Sequence, residues 1–267
     1  MKVISYCLFG RSTVYARATY YWQCLAGVVR AHHNLFPGWE LWLHHDDGDV
    51  EPLRGYEREG LVKMIPCGPV PKASFTARLW RMKPLWEPGV EYLLSRDIDS
   101  VPLPKDRKMV EAFIASGLAA HSQADHPAHT AHFMAGMCGF HAPQCLSLLQ
   151  LKSWAAFIVA GKTDLSAPTG GPDQQHMYEV LWPKLEAHCL HHRLRNGIPG
   201  TVRPLTNLHQ SVPDIVPSGV TPFVLAHGDS LAAFMGDAGF DVASAIEFYD
   251  AHGWQEITRR VRKAEAC

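Results

Sequence analysis

The stretch Glu91-Tyr92-Leu93-Leu94-Ser95-Arg96-Asp97-Ile98-Asp99-Ser100 decides the fold of this chain. Its apolar first half predicts a buried strand, which ends in two carboxylates two positions apart. Because alternate side chains of a strand point the same way, Asp97 and Asp99 can converge on one point while Ile98 faces the opposite side. Two hard oxygen ligands suit a Mg²⁺ or Mn²⁺ ion that keeps positions open for substrate phosphates. The alternative for a D-x-D pattern is a solvated turn at a strand end.

Strand and helix patterns alternate along the rest of the chain. Strands are predicted at residues 3–9, 39–44, 61–65, 118–121 and 223–229, and helices at 15–31, 75–85, 108–116, 144–160 and 173–187. This alternation predicts an α/β fold with a mainly parallel central sheet and helices on both faces. The 267 residues fit one such domain, without a linker that divides it. We expect a nucleotide-binding half at 1–100, a sugar and acceptor half at 101–240 and a C-terminal helix at 241–267.

The composition indicates a compact enzyme of a reducing compartment. Charge is nearly balanced, with 25 Lys+Arg against 26 Asp+Glu, so no broad basic field indicates nucleic acid as a partner. Seven cysteines form no C-x-x-C pair, and their odd number argues against a closed disulfide framework. No run approaches the ~20 apolar residues of a spanning helix, and the N-terminus has no signal-peptide core. We therefore expect a soluble, cytoplasmic protein without a transmembrane segment.

Four segments of the sequence resemble glycosyltransferases of the GT-A fold. They are Leu79-Trp80-Arg81-Met82-Lys83-Pro84-Leu85-Trp86, the strand that ends in Asp97-Ile98-Asp99-Ser100, Asp125-His126-Pro127-Ala128-His129, and Ala135-Gly136-Met137-Cys138-Gly139-Phe140. They are most similar to a group of such proteins with an R-D-x-D-S signature and a downstream D-H-P-x-H. The resemblance follows the order of elements over residues 1–240 and is sharp between Leu79 and Phe140. It implies a Rossmann-like GT-A domain that transfers a sugar from a nucleoside diphosphate sugar, expected to be a UDP-sugar, to an unidentified hydroxyl acceptor.

The resemblance also implies which residues meet the donor. The first strand and its loop contact the nucleotide in such folds, and an acid after the second strand, Asp46 or Asp47, accepts from the uracil or ribose. The alternative for these two acids is a solvated turn. Arg78 and Arg81 lie one helical turn apart and can both reach a diphosphate, unless either is a surface cation. The expected donor contacts are Cys7, Phe9, Gly10, Arg11, Asp46, Arg78, Arg81, Ile98, His126 and Gly136.

Two of these contacts concern the sugar. The Asp125-His126 segment resembles an active-site loop, in which an acid and imidazoles bind hydroxyls, with a solvated loop as the alternative. The histidines around it do not favour a structural zinc site, because no cysteine pair accompanies them. Gly136 resembles the small-residue turn that lets a donor sugar lie close to backbone.

The remaining elements of the expected site lie later in the chain. Asp173-Gln174 resembles the D-Q element of retaining glycosyltransferases such as glycogenin, in which the acid contacts sugar or acceptor and the amide lies opposite the leaving group. The alternative is that Asp173 satisfies N–H groups at a helix start. His227 resembles the C-terminal histidine that supplies many GT-A enzymes with a third manganese ligand, and His209 is its rival. The predicted catalytic residues are Asp173, Gln174 and Asp125, and the predicted ligands for Mn²⁺ or Mg²⁺ are Asp97, Asp99 and His227.

Three questions stay open at the level of sequence. The lysine and tryptophan that usually follow the C-terminal histidine are absent, so retention or inversion of the sugar is undecided. With inversion, Asp125 or Asp173 is the candidate base, and with retention the leaving phosphate accepts the proton. Two other classes of protein also fit the pattern: a metal-dependent nucleotide-sugar phosphohydrolase, and a catalytically silent carbohydrate-binding protein of the same fold.

Overall fold

A computed structural model describes residues 1–9, 25, 28–29, 31–46, 53–70, 76–98, 102, 104–124, 133–165, 172–193 and 210–211. The strands of this part are β1 Lys2–Leu8, β2 Glu40–His45, β3 Lys63–Pro66, β4 Tyr92–Arg96, β5 Ala120–Ala124, β6 Met137–His141, β7 Cys189–Arg193 and β8 Gln210–Ser211. They form one sheet in the order β3-β2-β1-β4-β6-β5-β7-β8. Every pairing in it is parallel except those of β6 with β4 and β5. The predicted fold class is confirmed.

Short helices connect these strands. In the described ranges they are α1 Arg54–Arg58, α2 Thr76–Leu79, α3 Pro104–Ser116, α4 Ala142–Leu149, α5 Trp154–Ala160, α6 Pro172–Val180 and α7 Trp182–Leu185, with 3₁₀ helices at Trp80–Trp86 and Glu186–His188. Residues 31–35 are also helical. The side chains of β1 alternate between two apolar cores. Ile4 and Tyr6 pack with Val29 on one face, whereas Val3 packs with Met82 and Phe140 on the other, so helices cover both faces.

Three predicted helices are divided where the sequence suggested continuous ones. The helix expected at 173–187 is α6, α7 and the 3₁₀ helix Glu186–His188. The helix expected at 144–160 is α4 and α5, because Gln150 adopts a left-handed conformation with φ 56°. Ser153 then begins α5 by accepting a hydrogen bond from the Ala156 N–H at 3.1 Å. The helix expected at 75–85 changes to 3₁₀ geometry after Leu79, in a turn that contains Pro84, which has no N–H to donate. The antiparallel strand β6 was not predicted as a strand.

The strand order reverses beside β1. The chain adds β2 and β3 on one side of β1 and then β4 on its other side. The carboxyl ends of parallel strands meet at one edge of the sheet, and a crevice at this reversal is the usual ligand site of open α/β sheets. The residues that follow β1, β2 and β4 therefore define the edge at which a site is expected.

Two further predictions concern the described residues. None of the helices described here is both long and apolar enough to cross a membrane. No disulfide joins the five cysteines in the described ranges, Cys7, Cys67, Cys138, Cys145 and Cys189. The predicted helix at 241–267 and strand at 223–229 lie outside the described residues.

Candidate active site

Asp97 lies directly after β4, on the edge of the sheet where the strand order reverses. Its side chain is 46% exposed. Its backbone N–H donates to the Gly136 carbonyl at 3.1 Å, which ties the end of β4 to the turn before β6. Ile98 is buried in the core that contains β1, so its side chain faces away from this edge. The alternation predicted for the strand end is thus present for Asp97 and Ile98, and a contact of Ile98 with the donor stays a prediction that its backbone would have to meet.

Gly136 is required at its position because of Asp97. A Cβ at position 136 would lie 1.9 Å from Asp97 Oδ2 and 2.1 Å from its Cγ. Such distances are far below van der Waals contact, so any side chain there would displace the carboxylate. The sequence suggested that a donor sugar approaches this glycine. The atoms found against it are those of the Asp97 carboxylate.

Arg81 joins Asp97 to a second carboxylate. Its Nη1 donates to Asp97 Oδ1, and its Nη2 donates to Asp173 Oδ2 at 2.8 Å. The Arg81 side chain is only 4% exposed. The sequence predicted that Arg81 meets a diphosphate, but its two terminal nitrogens are directed at carboxylates. Within the described residues it is therefore the centre of an ion-pair bridge between β4 and α6.

The charges of this bridge compensate one another. Burial lowers the pKa of Arg81, but the electrostatic interaction with Asp97, and then with Cys7 and Asp173, raises it by more than burial lowers it. The pKa of Arg81 therefore lies above its ordinary value. The guanidinium therefore remains charged at any physiological pH. Cys7 lies close by, and burial raises its pKa to about 12, so its thiol remains neutral there.

Arg78 is the more accessible of the two arginines. It belongs to α2, one turn before Arg81, and its Nη1 lies 3.7 Å from Asp173 Oδ1. Its side chain is 29% exposed. The one-turn spacing predicted from the sequence thus brings both arginines to one anion, and that anion is Asp173. Arg78 alone keeps appreciable exposure for a contact with a ligand.

Asp173 and Gln174 begin α6 next to this bridge. The Asp173 side chain is 8% exposed and faces both arginines, whereas Gln174 is partly exposed. Within the described residues this carboxylate is the counterion of both arginines. The predicted contact of Asp173 with sugar or acceptor stays a prediction.

The ends of β1 and β2 complete the described edge. Phe9 packs edge-to-face on Trp80 with ring centroids 6.0 Å apart, and Cys7 Sγ donates to the Arg78 carbonyl at 3.5 Å. Asp46 is buried, and its backbone carbonyl lies 2.6 Å from His45 Nδ1. Asp46 is therefore enclosed beside the end of β2, and its contact with the nucleotide stays a prediction.

The other predicted site residues lie outside the described residues: Gly10, Arg11, Asp99, Asp125, His126 and His227. The rival positions Asp47 and His209 do so as well. Within the described ranges, no three His, Cys, Asp or Glu side chains are grouped so that they could hold a metal ion. The metal-ligand set thus remains a prediction, with Asp97 as its described member.

Comparisons with known proteins give distant likenesses. No protein-family model and no curated protein matches the chain. Among solved structures, 4-diphosphocytidyl-2C-methyl-D-erythritol synthase from Anaerococcus prevotii is 12% identical, with 77% of this chain and 91% of that chain covered and a TM-score of 0.44. Mouse xyloside xylosyltransferase 1 is 13% identical, with 73% of this chain and 85% of that chain covered and a TM-score of 0.44. TarS of S. aureus in complex with UDP is 10% identical, with 93% of this chain and 69% of that chain covered and a TM-score of 0.45.

Proposed function

We propose that this chain is a glycosyltransferase that moves a sugar from a nucleoside diphosphate sugar, a UDP-sugar in the first instance, to a hydroxyl acceptor. The observation that carries the proposal is the half-exposed Asp97 carboxylate at the strand-order reversal, where open α/β sheets bind ligands. The downstream acid and histidine motifs of the sequence add support. TarS is described as a complex with UDP, and we extend that class of ligand to this chain.

Asp97 fits the role of a cation ligand. Its carboxylate is a hard oxygen donor, and its Oδ2 has no hydrogen bond within the described residues, whereas Arg81 occupies Oδ1. Asp99 and His227 would complete the set, and an oxygen, oxygen, nitrogen set suits Mn²⁺ better than Mg²⁺. When bound, the ion would offset the negative charge of the diphosphate.

The remaining residues divide between the leaving group and the acceptor. Arg78, with its partial exposure, is our candidate for a charged contact to the diphosphate, and Gln174 for the acceptor side. Asp173 already faces both arginines, so we do not assign it the role of base. Asp125 takes that role if configuration is inverted, and an oxygen of the leaving phosphate takes it if configuration is retained.

A donor screen tests the proposal. Purified protein is incubated with a panel of UDP-sugars, Mn²⁺ and candidate acceptors, and released nucleotide is identified by mass. The proposal predicts intact UDP and a new glycoside. The Asp97→Asn variant is the control, because it keeps the shape of the side chain and removes its charge.

The same screen separates the two other classes of protein. A phosphohydrolase would release UMP and a sugar phosphate, since water rather than a sugar hydroxyl would attack. A silent carbohydrate-binding protein would release neither product and would show no Mn²⁺-dependent stabilisation by UDP. A working donor site should instead stabilise the folded state by about 2.7 kcal/mol at a ligand concentration a hundredfold above Kd.

A further inference from the structure

Among the residues that the structure describes, Asp173 contacts the candidate site through the two arginines. Its carboxylate is nearly buried, and it faces Arg81 Nη2 at 2.8 Å and Arg78 Nη1 at 3.7 Å. The other terminal nitrogen of Arg81 donates to Asp97. A planar guanidinium has its donors in a fixed fork, so a bond at one nitrogen restricts the direction of the other.

The Asp97 carboxylate is thereby confined on two sides. Arg81 binds its Oδ1, and the backbone of Gly136 lies so close to Oδ2 that a Cβ would approach to 1.9 Å. Rotation of the carboxylate would break the bond to Arg81 or bring it against Gly136. Its orientation therefore depends on where Arg81 is held, and Asp173 holds it.

We infer that Asp173 is a positioning residue, which fixes the Asp97 carboxylate for a divalent cation by anchoring Arg81. The inference rests on the proposed function and adds a role for Asp173, whose described contacts are with the two arginines. Asp173 also affects the charge at the site, because Arg81 is shared between two carboxylates. Without Asp173 the whole positive charge of Arg81 would face Asp97 and compete with the cation. Both effects weaken cation binding when Asp173 is replaced.

The test compares Asp173→Asn with wild type in two binding measurements. Mn²⁺ binding to the full-length protein is followed by the loss of the free-ion electron paramagnetic resonance signal, and UDP binding is followed by thermal shift with and without Mn²⁺. Partners that orient metal ligands typically change metal affinity by about 10-fold to 100-fold. We expect the half-saturating Mn²⁺ concentration to rise by about 10-fold, and metal-free UDP binding to change by less than about twofold.

Glu179→Gln is the matched control. Glu179 lies on the same helix and accepts hydrogen bonds from the Lys162 and Thr163 N–H groups at 2.8 and 3.0 Å, away from the arginines. The Glu179→Gln variant should have a lower melting temperature than wild type and the same Mn²⁺ affinity. A merely structural role for Asp173 predicts that both variants behave alike.

A second variant covers the case in which Asp173→Asn does not fold. Arg81→Lys keeps a positive charge but has no fork to bridge two carboxylates, so it should raise the half-saturating Mn²⁺ concentration in the same way. If wild type binds Mn²⁺ and UDP while both variants bind them equally well, the inference is overturned and the proposed function stands. If wild type itself shows no Mn²⁺-dependent UDP binding, the proposed function falls and the inference with it.

Discussion

Arg81 donates a hydrogen bond of 2.8 Å to Asp173, which lies 92 positions further along the chain. The same guanidinium binds Asp97 at the end of β4. One buried cation thus holds together the strand end that carries the candidate cation ligand and the start of α6. Removing one partner of a buried ion pair leaves the other charge uncompensated, so this bridge affects stability as well as binding.

Asp97→Asn should abolish Mn²⁺-dependent UDP binding and leave the fold intact. The amide keeps the shape of the carboxylate but loses the charge that attracts the ion, and Asp173 remains as a counterion of Arg81, so the protein should still fold. The measurement is thermal shift with UDP, with and without Mn²⁺. Glu111→Gln, in the exposed Arg107–Glu111 pair, is the charge-matched control. A folded Asp97→Asn protein with undiminished Mn²⁺-dependent binding would refute the cation site.

Gly136→Ala should weaken Mn²⁺-dependent binding without altering any charge. The added Cβ would lie 1.9 Å from Asp97 Oδ2, so the carboxylate must move. The measurement is the Mn²⁺ titration used above. Gly55→Ala in α1 is the control, because nothing lies within 4 Å of its Cβ and the helix should gain up to about 1 kcal/mol. Unchanged Mn²⁺ affinity in Gly136→Ala would mean that the position of the carboxylate is immaterial.

Arg81→Ala and Arg78→Ala should have different effects. Loss of Arg81 leaves Asp173 buried without its closest cation, so we expect unfolding free energy to fall by about 3–5 kcal/mol. Arg78 is partly exposed, so its loss should cost less than about 1 kcal/mol of stability. UDP binding to Arg78→Ala should instead weaken by about 1.5–3 kcal/mol, the range for hydrogen bonds to charged groups. Urea unfolding and UDP titration measure the two effects, and equal stability losses would contradict the contrast.

Stability should fall as the pH is lowered below about 6.5, partly because of His44. Burial lowers the pKa of His44 to about 3, and Lys83 adds to this effect. Since the unfolded chain binds a proton near the ordinary histidine pKa and the folded chain does not, stability is complete above that pKa and is lost on acidification towards about 3. One such histidine contributes a slope of up to about 1.4 kcal/mol per pH unit. His44→Gln should flatten the dependence in urea unfolding between pH 7 and pH 5 by about this slope; parallel curves would exclude the contribution.

Alkylation of the native protein at pH 8 should spare Cys7 and Cys138. Burial raises the pKa of each thiol to about 12, and the thiolate is the reactive form. Cys67 is partly exposed, with Lys83 Nζ 3.5 Å from its sulfur, so it should be modified first among these three. Peptide mass spectrometry after timed iodoacetamide treatment measures the order. Modification of Cys138 before Cys67 would indicate that the core opens faster than expected.

The sequence by itself determined the features that are set over a few residues. Alternating and helical hydrophobic periods predicted β1, β2, β3 and β4 within a few residues, because burial of one face imposes its period on the local sequence. Those periods also predicted the mainly parallel sheet. The same local rule placed Asp97 at a strand end and Ile98 in the core. It failed at Gln150, where a left-handed residue divides α4 from α5 without a glycine to indicate it.

The tertiary structure alone decided which charges meet. The spacing of Arg78 and Arg81 indicated one shared anion, and a diphosphate and Asp173 were equally compatible with that spacing. Asp173 is the partner because α6 packs its first turn near α2 and brings a buried carboxylate within reach of both guanidinium groups. The need for glycine at position 136 likewise comes from its contact with Asp97, which brings together the end of β4 and the start of β6. Ion pairs and close approaches between distant segments depend on how the layers pack, and no local period in the sequence encodes that packing.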